Sequence, residues 1–171
     1  MTIKQTQSLL AYLDLYTGAL DGIEGKLTRQ ARAAFESRFG PFSEEALLAA
    51  ITKSRDFWQQ IPNFQREEFR CRCGGKYCDG FPAEPEEALV RLAQQLRSHF
   101  DAPVTVSSGV RCQTHNANVG GAAGSRHKLG KAMDFCVKGR TSDQVLPYVQ
   151  ALPGIRYAYA IDGAYVHMDV N

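Results

Sequence analysis

The sequence predicts an α+β protein in two parts, a small N-terminal three-helix domain over residues 1–58 and a mixed domain over residues 59–171. Three observations carry this. Apolar residues recur at helical spacing through the first part, whereas Ala132 to Val137 and Ala164 to Val170 alternate with the period of two expected of a strand. Asp162-Gly163, between two strand-like runs, is a strong two-residue hairpin signal.

In chain order, Leu9, Leu10, Leu13 and Tyr16 form the stripe of a first helix, stopped at Thr17-Gly18. A glycine-rich turn from Leu20 to Gly25 follows, and Thr28 is the expected N-cap of a helix over Arg29 to Arg38. Gly40-Pro41 breaks it, and Ser43 caps a third helix bearing Leu47, Leu48 and Ile51. The pattern is irregular from Asp56 to Pro62, which places the domain boundary. Pro85, Glu86 and Glu87 start another helix, since proline suits the first turn and acids favour its positive end. Leu89, Leu92, Ala93, Leu96 and Phe100 are its apolar face, and His99 reads as a surface or capping residue near its C-terminus.

Val104 to Val106 is a short strand, Thr114-His115-Asn116 starts a short helix, and a glycine-rich loop spans Val119 to Gly130. In the next strand Met133, Phe135 and Val137 share one face, which leaves Asp134 to face a cleft. Thr141 and Gln144 form a capping box for a helix reaching Leu152, strained or shortened by Pro147. The hairpin closes the chain, with Tyr165, His167 and Asp169 on one face of its second strand and Val166 and Met168 on the other.

Composition excludes several functions. Apolar residues are 44%, charged residues 22% and net charge is +2 without a long basic run, so nucleic acid is not an expected partner. No apolar run is long enough to insert in a membrane, and a monomer is expected. The N-terminus does not read as a secretory signal, so synthesis in the cytoplasm is expected. Of five cysteines, Cys71, Cys73, Cys78 and Cys112 cluster around Gly74-Gly75. Free thiols, one or two disulfides, and a second, structural metal site all remain open for them. Cys136 reads as a small apolar residue in a strand.

The chemistry concentrates in His127, Asp134 and His167. Two imidazoles and a carboxylate are three protein ligands for Zn2+, the count of a catalytic site that keeps a fourth position for water. Asp169 is placed to fix an imidazole by accepting its free N–H. Taken singly, each has a plainer reading: a loop cap for His127, an ion pair for Asp134, a core histidine for His167.

The pattern Ser125-x-His127-x-x-Gly130-x-Ala132-x-Asp134, followed by His167-x-Asp169, resembles the zinc D-Ala-D-Ala peptidase family. That family includes L-Ala-D-Glu endopeptidases of phage lysins and D-alanyl-D-alanine dipeptidases, and shares its fold with the Hedgehog signalling domain. The resemblance extends through Ser108-Gly109-Val110-Arg111 and Asn116 to Ala122, and covers about Phe64 to Asn171. It implies a central antiparallel sheet with flanking helices, metal held by His127, Asp134 and His167, and Asp162 as general base. It also implies Arg111 on the substrate carboxylate or carbonyl and Ser125 as a substrate contact, with the Tyr165 phenol on the same face as His167. A tight Asp162-Gly163 turn conflicts with the base role, because five extended residues span roughly 16 Å. The base reading therefore requires a loop curled over the metal.

Tyr16-x-Gly18-x-Leu20-Asp21-Gly22-Ile23-x-Gly25-x-x-Thr28-x-x-Ala31-x-x-x-Phe35 resembles the small peptidoglycan-binding domain often attached to wall hydrolases, although Glu36 stands where the pattern has glutamine. Together the resemblances imply a phage or prophage lysin that cuts peptidoglycan stem peptides after release through a pore. Two rivals are a non-catalytic wall-binding protein with a structural zinc pseudo-site and a cytoplasmic D-Ala-D-Ala dipeptidase.

Overall fold

The computed structural model describes residues 1–171 apart from the side chain of Asp56. The chain divides into two compact units, Met1–Gln60 and Ile61–Asn171.

The first unit is three helices: α1 (Ile3–Tyr12), α2 (Lys26–Phe39) and α3 (Glu44–Gln59). Thr2 and Gln5 close a capping box on α1, and Ser43 caps α3 through the Ala46 N–H. Thr28 is not the N-cap of α2. Gly25 holds that position, and Thr28 is buried inside the helix, donating its hydroxyl to the Ile23 carbonyl at 3.1 Å. The first helix ends earlier than its apolar stripe suggests: Tyr16 lies beyond it, yet is buried with Leu10, Leu13, Ala31, Phe35, Leu47 and Ile51. Buried Gln7 organises the turn that follows. Its amide nitrogen lies within hydrogen-bond distance of Tyr16, Asp21, Thr28 and the Ile23 carbonyl, and its oxygen accepts from the Gly22 N–H. Most polar positions of the Tyr16–Phe35 pattern thus serve to satisfy one buried amide, which costs dearly when left unpaired.

The second unit is α+β. Its elements are α4 (Glu87–Phe100), β1 (Val104–Ser108), α5 (Gln113–Asn118), β2 (Ala132–Val137), α6 (Ser142–Ala151), β3 (Ile155–Ala160) and β4 (Tyr165–Val170), with 3₁₀ turns at Arg66–Phe69 and Arg126–Leu129. The strands make one antiparallel sheet in the order β1-β2-β4-β3. Met133 faces Met168 and Phe135 faces Val166 across β2 and β4, and all four are buried. This is the apolar side of the sheet, covered by α4 through Leu89, Val90, Leu92, Ala93 and Leu96, and by α6 through Val145 and Val149. Alternation then turns Asp134, His167 and Asp169 to the opposite side. Pro147 neither ends nor shortens α6, which the Thr141–Gln144 capping box starts.

The hairpin differs from the expected two-residue turn. Residues 161–164 connect β3 to β4, and the Asp162 carboxylate accepts from the Ala164 and Tyr165 N–H groups, both at 2.8 Å. An aspartate that bonds its own backbone downstream stabilises a wider turn without needing the paired positive φ of the shorter one.

Candidate metal centre and its cleft

One row of paired residues crosses all four strands. Ser108 lies opposite Asp134, Asp134 opposite His167, and His167 opposite Tyr159. Two irregularities tune it. A register shift between Val106 and Ser108 brings Ser108 level with Asp134, and the Ser107 hydroxyl donates to the Asp134 carbonyl at 3.0 Å. A second shift, between Ile155 and Tyr157, makes Arg156 the extra residue of β3, and its guanidinium reaches both Asp169 oxygens at 2.7 Å.

His127 enters from outside the sheet, on the 3₁₀ turn before β2. Its Nδ1–H donates to the Gly109 carbonyl at 2.7 Å, which fixes the tautomer and aims the Nε2 lone pair inward. Nε2 lies 3.3 Å from His167 Nδ1 and 3.2 Å from Asp134 Oδ1, while His167 Nδ1 is 2.7 Å from the same carboxylate oxygen. All three side chains are buried. Gly130 holds the turn in place: its φ is +71°, and a Cβ there would stand 1.7 Å from the Glu84 carbonyl oxygen.

The electrostatics favour a charged carboxylate. Burial opposes ionisation of Asp134, but the two imidazoles beside it and the nearby Arg111 charge hold its carboxyl well below the usual carboxylate range. Arg111 binds the second oxygen, Oδ2, and donates from Nε to Ser108 Oγ at 2.8 Å. That leaves Oδ1 as the single atom presented to both imidazoles. Behind His167, Asp169 Oδ2 lies 3.5 Å from Nε2. An imidazole with a carboxylate on its far nitrogen is a usual metal-ligand arrangement.

These atoms lie in a cleft of about 440 Å³ lined by Arg111, the loop from Val119 to Arg126, Arg156, Tyr159, Ile161 and Asp169. A volume of this size suits a small ligand or a short peptide segment. Asn116 shapes the loop, donating from its buried amide to the Gly121 and Ala122 carbonyls. Ser125 lines the cleft and makes no side-chain capping bond to its turn. Tyr159 stacks on His167 with ring centroids 4.9 Å apart. Burial and the Asp134 charge push its phenol up, so it remains an O–H donor at neutral pH.

The structure thus brings His127, Asp134, His167, Arg111 and Ser125 together. It does not bring Asp162 or Tyr165 to the cleft: Asp162 is exposed and caps its own turn, and Tyr165 lies opposite Cys136 at the far end of the β2–β4 pairing. Sequence reasoning missed Tyr159 and Arg156. Both lie in a recognisable strand, but only the pairing of β3 with β4, and the extra residue at Arg156, sets them beside His167 and Asp169.

The donor set fits a divalent transition metal. Two imidazole nitrogens and one carboxylate oxygen converge, all within 4.8 Å of one another, with a cleft on the open side. This defines a class: an α+β domain carrying a three-residue donor set suited to a metal on the polar side of an antiparallel sheet. Residues 62–169 match the family described as Peptidase M15, and the chain belongs to that family. The zinc D-Ala-D-Ala carboxypeptidase of Streptomyces albus G is 32% identical over 128 residues, covering 68% of this chain and 49% of that protein. The chain therefore spans about half the length of that curated relative.

Proposed function

We propose that the chain is a zinc peptidase that hydrolyses an amide bond in the stem peptides of bacterial peptidoglycan, at a D-alanyl or L-alanyl residue. The observation that carries this reading is the convergence of His127 Nε2, His167 Nδ1 and Asp134 Oδ1 on one point of the cleft. The activity for which the Streptomyces albus G relative is named supports it. Zinc held by these side chains would lower the pKa of water toward ~7 and polarise the scissile carbonyl. Gly109 and Asp169 keep the two imidazoles in their ligand orientations. Arg111 and Tyr159 offer donors to a substrate carboxylate or carbonyl, and Ser125 offers a hydroxyl on the facing loop.

Asp162 is the proposed base, and it must leave its turn to act. Breaking its two hydrogen bonds would cost little, since exposed partners rebond to water. Those same backbone N–H bonds hold its carboxyl below the usual range, which weakens it as a base in the resting turn. That observation favours a second reading, a peptidoglycan-binding protein in which the centre is structural. The carboxylates lining the cleft, Asp134 and Asp169, are both already paired with arginines.

Incubation of the chain with purified peptidoglycan, followed by mass spectrometry of released fragments, separates the two. The peptidase reading expects defined stem-peptide fragments from the parent chain, none from His127→Ala, and zinc without turnover in Asp162→Asn. No release by the parent chain selects the binding reading. An unchanged rate in Asp162→Asn moves the base elsewhere.

The first unit is proposed to bind peptidoglycan, and the pairing of such a module with a peptidase unit supports a lysin role. Ile23 and Leu27 are exposed on it. Replacing both with Asp should weaken co-sedimentation with insoluble peptidoglycan, and equal sedimentation would remove the binding role.

A further inference from the structure

A second convergence of ligand-type atoms lies elsewhere in the unit spanning Ile61–Asn171. The Sγ atoms of Cys71, Cys73, Cys78 and Cys112 all lie within 4.8 Å of one another, and the Cys73 and Cys78 sulfurs are 3.4 Å apart. A disulfide requires about 2.05 Å, and all five cysteines are free thiols. Four sulfurs around a tetrahedral zinc, with Zn–S bonds of ~2.3 Å, stand about 3.8 Å from one another. Sulfurs within 4.8 Å of one another can close onto one ion with small shifts.

The backbone is arranged to hold it. Gly74, Gly75 and Gly80 adopt φ of +65°, +81° and +117°, curling the segment so that three sulfurs face inward. The Cys71 N–H closes this loop on the Gly80 carbonyl at 2.7 Å. The fourth sulfur comes from Cys112 at the start of α5. Backbone N–H groups point at two of the sulfurs, Cys112 N–H at Cys71 Sγ and His115 N–H at Cys112 Sγ, both at 3.4 Å. Each contact gives a buried sulfur a backbone donor that a metal-bound sulfur can keep.

We propose that Cys71, Cys73, Cys78 and Cys112 form a closed four-thiolate site for a structural zinc ion. Four soft ligands in a tetrahedron suit zinc and leave no open position for chemistry. The site stabilises a stretch with little regular structure, since only turns occupy residues 70–86 between the Arg66–Phe69 turn and α4. It also ties that stretch to residues 109–112. The Val110 N–H donates to the Phe69 carbonyl at 2.8 Å, and a Cβ at Gly109 would stand 2.2 Å from that same oxygen. Gly109 orients His127 and Arg111 grips Asp134, so the thiolate site holds the segment that aims the cleft's own residues.

The test is zinc stoichiometry of the full-length chain by elemental analysis, with variants at each centre. The parent chain should carry two zinc ions, falling to one in the Cys73→Ser/Cys78→Ser double variant and to one in His167→Ala, while Cys136→Ser keeps two. If the cleft binds no zinc, the parent should carry one, retained in His167→Ala and lost in the cysteine double variant, which still supports this site. Zinc unchanged in the double variant overturns the proposal. Should that variant not fold, the parent chain decides. One thiol should react with a thiol reagent natively and five after unfolding with a chelator, and cobalt substitution should show thiolate-to-metal charge-transfer absorption. Five thiols reacting in the native chain, absence of that absorption, or an intact mass showing fewer than five alkylated cysteines in denaturant would refute it.

Discussion

Asp134 on β2 and His167 on β4 face each other across an antiparallel pair, with Oδ1 2.7 Å from Nδ1. The contact lies on the polar side of a sheet whose other side is buried by Met133, Phe135, Val166 and Met168. Slippage by one residue would turn these two candidate ligands into that apolar layer and those apolar residues into the cleft. Packing of the core therefore fixes the geometry of the centre, and its variants carry definite expectations.

Arg111 neutralises the Asp134 oxygen that faces away from the imidazoles. Arg111→Ala leaves a buried carboxylate less compensated, and zinc affinity measured by chelator competition should fall by roughly 10–100-fold. Arg111→Lys keeps the charge but not the planar fork that also reaches Ser108, so its loss should be intermediate. Equal affinity in all three chains would show that Arg111 serves substrate alone.

Asp169 is buried, bonded to Arg156 through both oxygens, and close to the far nitrogen of His167. Asp169→Asn should weaken zinc binding by about 10-fold or more and lower turnover with it. Arg156→Gln, which removes only the outer partner, should have the smaller effect. The reverse order in isothermal titration would assign the control to Arg156.

Gly130 has no room for a side chain. Gly130→Ala would drive a Cβ into the Glu84 carbonyl at a positive φ, and unfolding in urea should show a loss of about 3 kcal/mol or more. A loss below about 1 kcal/mol would mean that the turn carrying His127 relaxes freely.

In the N-terminal unit, hydrogen bonds from the Ile23 N–H and the Gln7 amide lower the Asp21 pKa. A folded pKa below the unfolded one contributes stability that is present above the unfolded value of ~3.9, and is lost as pH falls through the folded value. Thermal unfolding followed downward from about pH 6 should therefore show the parent chain losing part of its advantage over Asp21→Asn below about pH 4. A constant difference across that range would count against the ionised form as the one the turn requires.

How much was legible in the sequence follows from what each residue must do. Metal donors are few in kind, and period two assigns a strand residue to a face, so His127, Asp134 and His167 could be named before any fold was known. Helix caps at Ser43 and Thr141 were equally readable, because they act within four residues of themselves. Thr28 misled because its hydroxyl serves the Ile23 carbonyl and the buried Gln7 amide instead of its own helix end.

By itself the sequence determined the α+β class, the apolar and polar sides of the sheet, and three candidate metal donors, since these depend on local periodicity and on side-chain chemistry. Only the tertiary structure decided that Tyr159 and Arg156 join the centre, that Asp162 is spent on its own turn, and that four cysteines converge. Those outcomes depend on strand register, on one extra residue in β3 and on loop closure. All three are set by contacts between segments far apart in the chain: the cysteine spacing and the Asp162-Gly163 pair left two of these outcomes open, and nothing local marked Tyr159 or Arg156.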